Sequence, residues 1–136
     1  MSRSSLDTNV ILRLVTQTPP DLHARALSLV STAGMVFVVS DYVFVELIFA
    51  LDRHYGISRA HIAEVVADII DLPNIESHSE LLQAALTHWT SHPKLSFEDC
   101  LMAEYARAEN AIPLWTFDRK LANQHEVAQT PATYKG

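Results

Sequence analysis

The chain has 136 residues, 49% of them hydrophobic, which is enough for one sizeable core, so we expect a single domain over residues 1–136. Its formal net charge of −6 argues against nucleic-acid binding by a broadly basic surface, because neutralising phosphates requires cationic groups. The single cysteine, Cys100, excludes an intrachain disulfide. The N-terminus lacks the apolar run of a signal peptide, and no apolar run is long enough for a membrane span, so we expect a cytoplasmic protein without membrane association.

Short apolar runs alternate with stretches of helical periodicity along the whole chain. In chain order, the predicted elements are a strand near 3–6, a helix from 10 that ends before Pro19, a helix over about 20–33, a strand at 35–39, a helix from 41 to about 55, a helix over about 59–72, a short strand at 75–77, a helix at 81–89, a helix at 96–110, a strand at 113–117, a short helix after Asp118, and one edge strand within 127–136. The runs 35–39 and 113–117 are typical of buried strands in a parallel sheet. This alternation predicts an α/β fold with a mostly parallel sheet between helices.

Four acids lie where a metal or ligand site is expected. Asp7 and Asp118 directly follow predicted strands, and sheets of this kind bind ligands at the carboxyl ends of their strands. Glu46 lies within an apolar helical stretch that we predict to be buried on all sides, with no Lys or Arg within four residues, so it needs a metal ion or a distant basic partner. Asp99 opens a late helix beside Glu98, which leaves the choice between these two open.

Each Asp also has a purely structural interpretation as a helix N-cap, and Ser96 with Asp99 matches a capping box. Glu46 lies in mid-helix and caps nothing, so its structural alternative is an ion pair in the core. Together, acids without Cys or His suit a hard cation, Mg²⁺ or Mn²⁺. Such ions promote phosphodiester hydrolysis, because they activate water and bind the phosphate.

Four segments, in this order and spacing, resemble a PIN domain, and specifically the VapC-like ribonuclease toxins of type II toxin–antitoxin pairs. They are Ser5-Leu6-Asp7-Thr8-Asn9-Val10, Ser40 with Glu46-Leu47, Ser96 to Ala103, and Thr116 to Leu121. The resemblance covers Leu6 to about Leu121 and implies a three-layer α/β/α sandwich with a mostly parallel central sheet. It also implies that Asp7, Glu46, Asp99 and Asp118 are the catalytic metal ligands, with Asn9 and Thr116 orienting them. Many relatives carry an Asp where this chain has Ser96, which implies fewer ligands and weaker metal binding.

The same resemblance implies a Mg²⁺- or Mn²⁺-dependent endoribonuclease that acts on structured RNA. It further implies a homodimer that a small cognate antitoxin of the VapB kind neutralises. From their positions alone, Arg13, Arg119 and Lys120 are candidate phosphate contacts, with solvated surface charge as the equal alternative. The apolar stretches within 42–55 and 59–72 indicate either a dimer or antitoxin surface or ordinary core.

The sequence also permits two competing functions and contains one further possible metal motif. Asp7-Thr8-Asn9-Val10 is one residue away from the motif of phosphatases that form a covalent phosphate on the first Asp, although Asn9 replaces their second acid. A catalytically silent PIN-like module for binding or assembly is the non-enzyme alternative. His88 and His92 have the i, i+4 spacing of a zinc pair, but the Glu of a zinc protease is missing, and we expect a solvated helix end.

Overall fold

The computed structural model describes residues 2–132 and divides into two compact units, residues 1–79 and 80–136. The first unit is built on three parallel strands and four helices. Its elements are β1 (Ser2–Ser5), α1 (Thr8–Thr16), α2 (Pro20–Val30), β2 (Met35–Val38), α3 (Asp41–Arg53), α4 (Arg59–Ile70) and β3 (Ile75–Glu76).

Strand β2 is the centre of this sheet and pairs in parallel with β1 on one side and β3 on the other. Phe37 lies opposite Ser4 of β1 and Ile75 of β3, and only 1% of its surface is exposed. Beyond the ladder, the Leu6 amide donates to the Val38 carbonyl at 3.1 Å, so the chain leaves β1 at the carboxyl edge of the sheet. Asp7 is therefore at the edge where ligands bind in parallel sheets.

Side-chain caps set the beginnings of three helices in this unit. The side chains of Asp7, Ser40 and Ser58 accept hydrogen bonds from backbone amides in the first turns of α1, α3 and α4. Helix α2 begins instead with Pro20. Proline lacks an amide proton, but the first amide of a helix has no partner within the helix, so no hydrogen bond is lost. The unit's core contains large apolar side chains at most 1% exposed, each worth about 1.5–3 kcal/mol of burial: Ile11, Phe37, Phe44, Leu47, Leu51 and Ile62.

The second unit has three helices and two short parallel strands. Its elements are α5 (Ser79–Ser91), α6 (Phe97–Ala108), β4 (Leu114–Trp115), α7 (Arg119–Gln124) and β5 (Ala128–Gln129). Leu114 lies opposite Ala128 in the β4–β5 pair. The core of this unit includes Trp89 and Phe97, whose rings meet edge to face at 5.9 Å.

The predicted alternation of strands and helices is confirmed, but two burial predictions are wrong. Helix α3 is not buried on all sides, because Tyr42 and Phe49 are 68% and 50% exposed. The strand predicted at 113–117 has only two residues and is not buried, since Trp115 is 57% and Phe117 is 87% exposed. The edge strand expected within 127–136 is β5, and residues 133–136 lie outside the described part. Within residues 2–132, no helix is both long and apolar enough to cross a membrane.

Candidate active site

Thr8 connects the first two predicted ligands, Asp7 and Glu46. Its backbone amide donates to the Asp7 carboxylate at 2.6 Å, while its hydroxyl donates to Oε1 of Glu46 at 2.6 Å. Asp7 is exposed and caps α1, and Glu46 is partly buried in mid-α3. The fold therefore brings two acids that are 39 positions apart in the chain to one residue at the carboxyl edge of β1. Nothing in the local sequence pattern indicates that Thr8 contacts both acids.

The partly buried carboxylates of the described residues differ in whether a basic group lies near them. Asp41 lies 3.0 Å from His78, and Glu104 pairs with Arg107 at 3.3 Å, so these two acids have basic neighbours. Glu46 and Asp99 are also partly buried, but within residues 2–132 neither has a basic group at ion-pair distance. For Glu46 this removes, over the described chain, the alternative of a core ion pair.

In the second unit, Asp118 is the N-cap of α7, as the capping interpretation predicts, whereas Asp99 lies in the first turn of α6 and its carboxylate caps nothing. Ser96 is the N-cap of α6 and accepts from the Asp99 amide at 3.1 Å, which leaves the Asp99 carboxylate free of the cap. Asp118 follows β4 and accepts from the amides of Lys120 and Leu121 at 2.9 and 3.2 Å. The Asp118 amide donates to the Thr116 hydroxyl at 2.9 Å, so Thr116 contacts the residue that it is predicted to orient.

A family model for the PIN domain matches residues 5–127. This chain belongs to the PIN domain family. The match covers both units, and it confirms the predicted α/β fold class of a PIN-like sandwich. PIN domains are generally metal-dependent nucleases. A search of the curated proteins returned no match.

The other candidate residues of this PIN domain lie on its surface or near it. Asn9 is exposed on α1, and Arg13 is partly buried and donates to the Thr18 carbonyl at 3.2 Å. Arg119 and Lys120 are exposed in the first turn of α7, directly after Asp118. Each of these cationic side chains is therefore accessible or partly accessible to a solute.

A histidine group in the second unit was missed from the sequence. His88, Glu104 and His125 offer ligand atoms within 4.8 Å of one another, and over residues 2–132 they are the one set of three His, Cys, Asp or Glu side chains whose ligand atoms lie that close together. None of them is among the four predicted carboxylates. His88 also stacks on His92 at 3.9 Å, and both rings are partly buried, so the expected solvated helix end is wrong. The i, i+4 spacing was the only signal, because His125 is 37 positions away from His88.

Hydrogen bonds already engage most of this histidine group. The Val127 amide donates to Nδ1 of His125, which leaves the ring proton on Nε2 to be donated to Glu104 at 3.0 Å. Nε2 of His88 lies 3.1 Å from the Gln124 carbonyl and donates to it. Burial lowers the pKa of His88, and the nearby His125 and His92 lower it further. A metal ion at this group would compete with the His125–Glu104 hydrogen bond.

Proposed function

We propose that this PIN domain is a Mg²⁺- or Mn²⁺-dependent endoribonuclease whose ion is held by Asp7, Glu46, Asp99 and Asp118. The observation that carries the proposal is that Glu46 and Asp99 are partly buried yet lack a basic neighbour over the described chain. A carboxylate that has lost part of its hydration is stabilised by a cation, and here the protein supplies none.

The donor atoms of the first unit fit such an ion. Asp7 and Glu46 present carboxylate oxygens, one bonded to the Thr8 amide and the other to the Thr8 hydroxyl, so the donor set is oxygen alone, as Mg²⁺ and Mn²⁺ prefer. When bound, the ion would supply an activated water and a binding partner for the scissile phosphate.

The protein's own residues have separate tasks in this proposal. Thr8 fixes the Glu46 carboxylate, Thr116 holds the backbone at Asp118, and Asn9 is assigned an orienting role beside Asp7. Arg13, Arg119 and Lys120 would bind phosphates that flank the cleaved bond.

We further propose that the protein is the toxin of a type II toxin–antitoxin pair, acting in the cytoplasm as a single-domain homodimer that a VapB-like antitoxin inhibits. Exposed aromatic side chains on and after α3 support a protein interface. Tyr42, Phe49 and Tyr55 are 68%, 50% and 43% exposed, which is unusual for aromatic residues that serve only a monomer's core.

The test is cleavage of a defined, structured RNA by the full chain with Mn²⁺ or Mg²⁺ and with a chelator. Asp99→Asn and Glu98→Gln form a matched pair, because both remove one negative charge from the first turn of α6 and only Asp99 is assigned to the ion. We expect Asp99→Asn to lose at least about a hundredfold in rate, whereas Glu98→Gln stays near wild type.

Two outcomes would reject this function. Equal loss in both variants would point to the helix terminus and not to a metal ligand, because the two substitutions change the charge there equally. Wild-type cleavage that persists in chelator would show that the reaction does not require a metal ion. A phosphatase would instead leave phosphate bound covalently to Asp7, and mass spectrometry after incubation with a phosphate ester detects it.

A further inference from the structure

A groove of about 510 Å³ runs between α1 and α2 in the first unit. From α1 it is lined by Asn9, Val10 and Arg13, and from α2 by Leu22, Arg25 and Leu29. We propose that this groove binds a single-stranded segment of the RNA next to the cleaved bond, with Arg13 and Arg25 on its phosphates. The inference rests on the proposed function, which it extends to an RNA-binding surface.

The segment that forms the groove has a formal net charge of opposite sign to that of the whole chain. Residues 8–34 contain two Arg and one Asp, a formal charge of +1, whereas the whole chain carries −6. Over the described residues, neither Arg13 nor Arg25 has a carboxylate at ion-pair distance. Phosphate is the anion that the planar, multiply donating guanidinium binds in bidentate geometry.

The two arginines differ in how they are held. Arg13 is partly buried, and one of its nitrogens donates to the Thr18 carbonyl, so its side chain is oriented while its other donors remain available. Arg25 is exposed and makes no hydrogen bond within the described chain. Arg13 therefore suits a fixed phosphate position, and Arg25 can follow a flexible strand.

Apolar side chains separate these charges and suit the face of a base. Val10 and Leu22 are partly buried, and Leu29 is 38% exposed although it is a large aliphatic residue. A volume of this size lies within the range of small-ligand sites, and a mixed lining of apolar and cationic groups matches the mixed surface of a nucleotide.

The position of the groove links it to the predicted ligands. Asn9 lies two residues after Asp7 and directly follows Thr8, which contacts both Asp7 and Glu46. Arg13 is one helical turn further along α1, about 6 Å from Asn9 along the axis. A strand in the groove would therefore lead to the end of α1 where these two acids lie. A protein segment is the other possible occupant, and RNA is favoured because the substrate must reach those acids.

Binding is measured separately from cleavage, by fluorescence anisotropy of a labelled single-stranded RNA of mixed sequence with the full chain in chelator. Arg25→Gln and Arg13→Gln are compared with Arg53→Gln, which removes one positive charge from an exposed position outside the groove lining. We expect each groove variant to weaken binding about tenfold and to reduce the slope of log affinity against log salt by about 0.7, with little change for Arg53→Gln. Leu29→Ser should weaken binding about threefold without changing that slope.

Equal effects of all three arginine substitutions would overturn the proposal, because they would show general electrostatic attraction. Unchanged RNA affinity in the Arg13→Gln, Arg25→Gln double variant would also overturn it, and so would intact RNA cleavage by that variant, because the substrate would then not need the groove. Failure of the proposed function looks different. If the wild-type protein binds RNA through both arginines but does not cleave it with Mn²⁺, the groove proposal is supported and the proposed nuclease function is rejected.

Discussion

Replacing Glu46 by Gln preserves the shape of the side chain and removes its charge, so it separates metal binding from structural roles. In the absence of metal, the Thr8 hydroxyl can still donate to the amide oxygen, and the bond weakens from a charge-assisted to a neutral one, a loss of about 1 kcal/mol. The variant also removes a partly buried charge that lacks a basic partner over the described residues, which offsets that loss. We therefore expect the metal-free variant to lie within about 1 kcal/mol of wild type.

The response to metal should change much more. An ion at 100 times its dissociation constant stabilises the native state by about 2.7 kcal/mol. For a chain of 136 residues this corresponds to a rise in melting temperature of about 10 °C. Glu46→Gln should lose most of that rise, because one ligand charge is gone.

Thermal unfolding of both proteins, with Mn²⁺ and with chelator, measures the two effects together. Glu64→Gln is the control, because Glu64 is an exposed helical acid outside the proposed site. If Glu46 instead formed an ion pair in the core, the opposite pattern would be expected. Removing its charge would leave the basic partner buried and unpaired, at a cost of about 3–5 kcal/mol. Strong destabilisation of the chelated variant together with an intact Mn²⁺ response would refute the assignment of Glu46.

Three further predictions concern single side chains. Asp7→Asn should abolish RNA cleavage while circular dichroism and melting stay close to wild type, because Asn caps a helix about as well as Asp; a fold lost along with activity would contradict this. Ser96→Asp keeps the α6 cap and adds an acid beside Asp99, so half-maximal cleavage should need less Mn²⁺, and an unchanged Mn²⁺ titration would count against it. Burial lowers the folded-state pKa of His88 below its usual 6.5, so the unfolded chain binds a proton more readily, and urea unfolding should show stability falling as the pH drops below about 6.5. The variant His88→Gln should flatten that pH dependence. The same slope in both proteins would show that another group titrates.

Local patterns predicted the elements of this fold well because their causes are local. The caps at Ser96 and Asp118 lie where the sequence placed them, since each depends on a side chain and an amide at most three residues away. The central strand β2 was recognisable from its continuous apolar run.

Burial and long-range contacts could not be predicted in the same way. An apolar residue looks the same in the sequence whether a neighbour covers it or not, so Tyr42 and Phe117 were wrongly expected to be buried. The Thr8–Glu46 hydrogen bond joins residues 38 positions apart, and the contact between His125 and Glu104 spans 21. Only the path of the chain brings such groups together.

The bridge at Thr8 also bears on how ready this edge of the sheet is for a ligand. A β-branched side chain has few rotamers, and the hydrogen bond to Glu46 selects one of them, which orients the hydroxyl relative to the amide that contacts Asp7. The geometry between the two acids is thereby preorganised when the chain folds, and the entropy of ordering them is lost then and not at binding. Serine at this position would keep both donors but give up that rigidity.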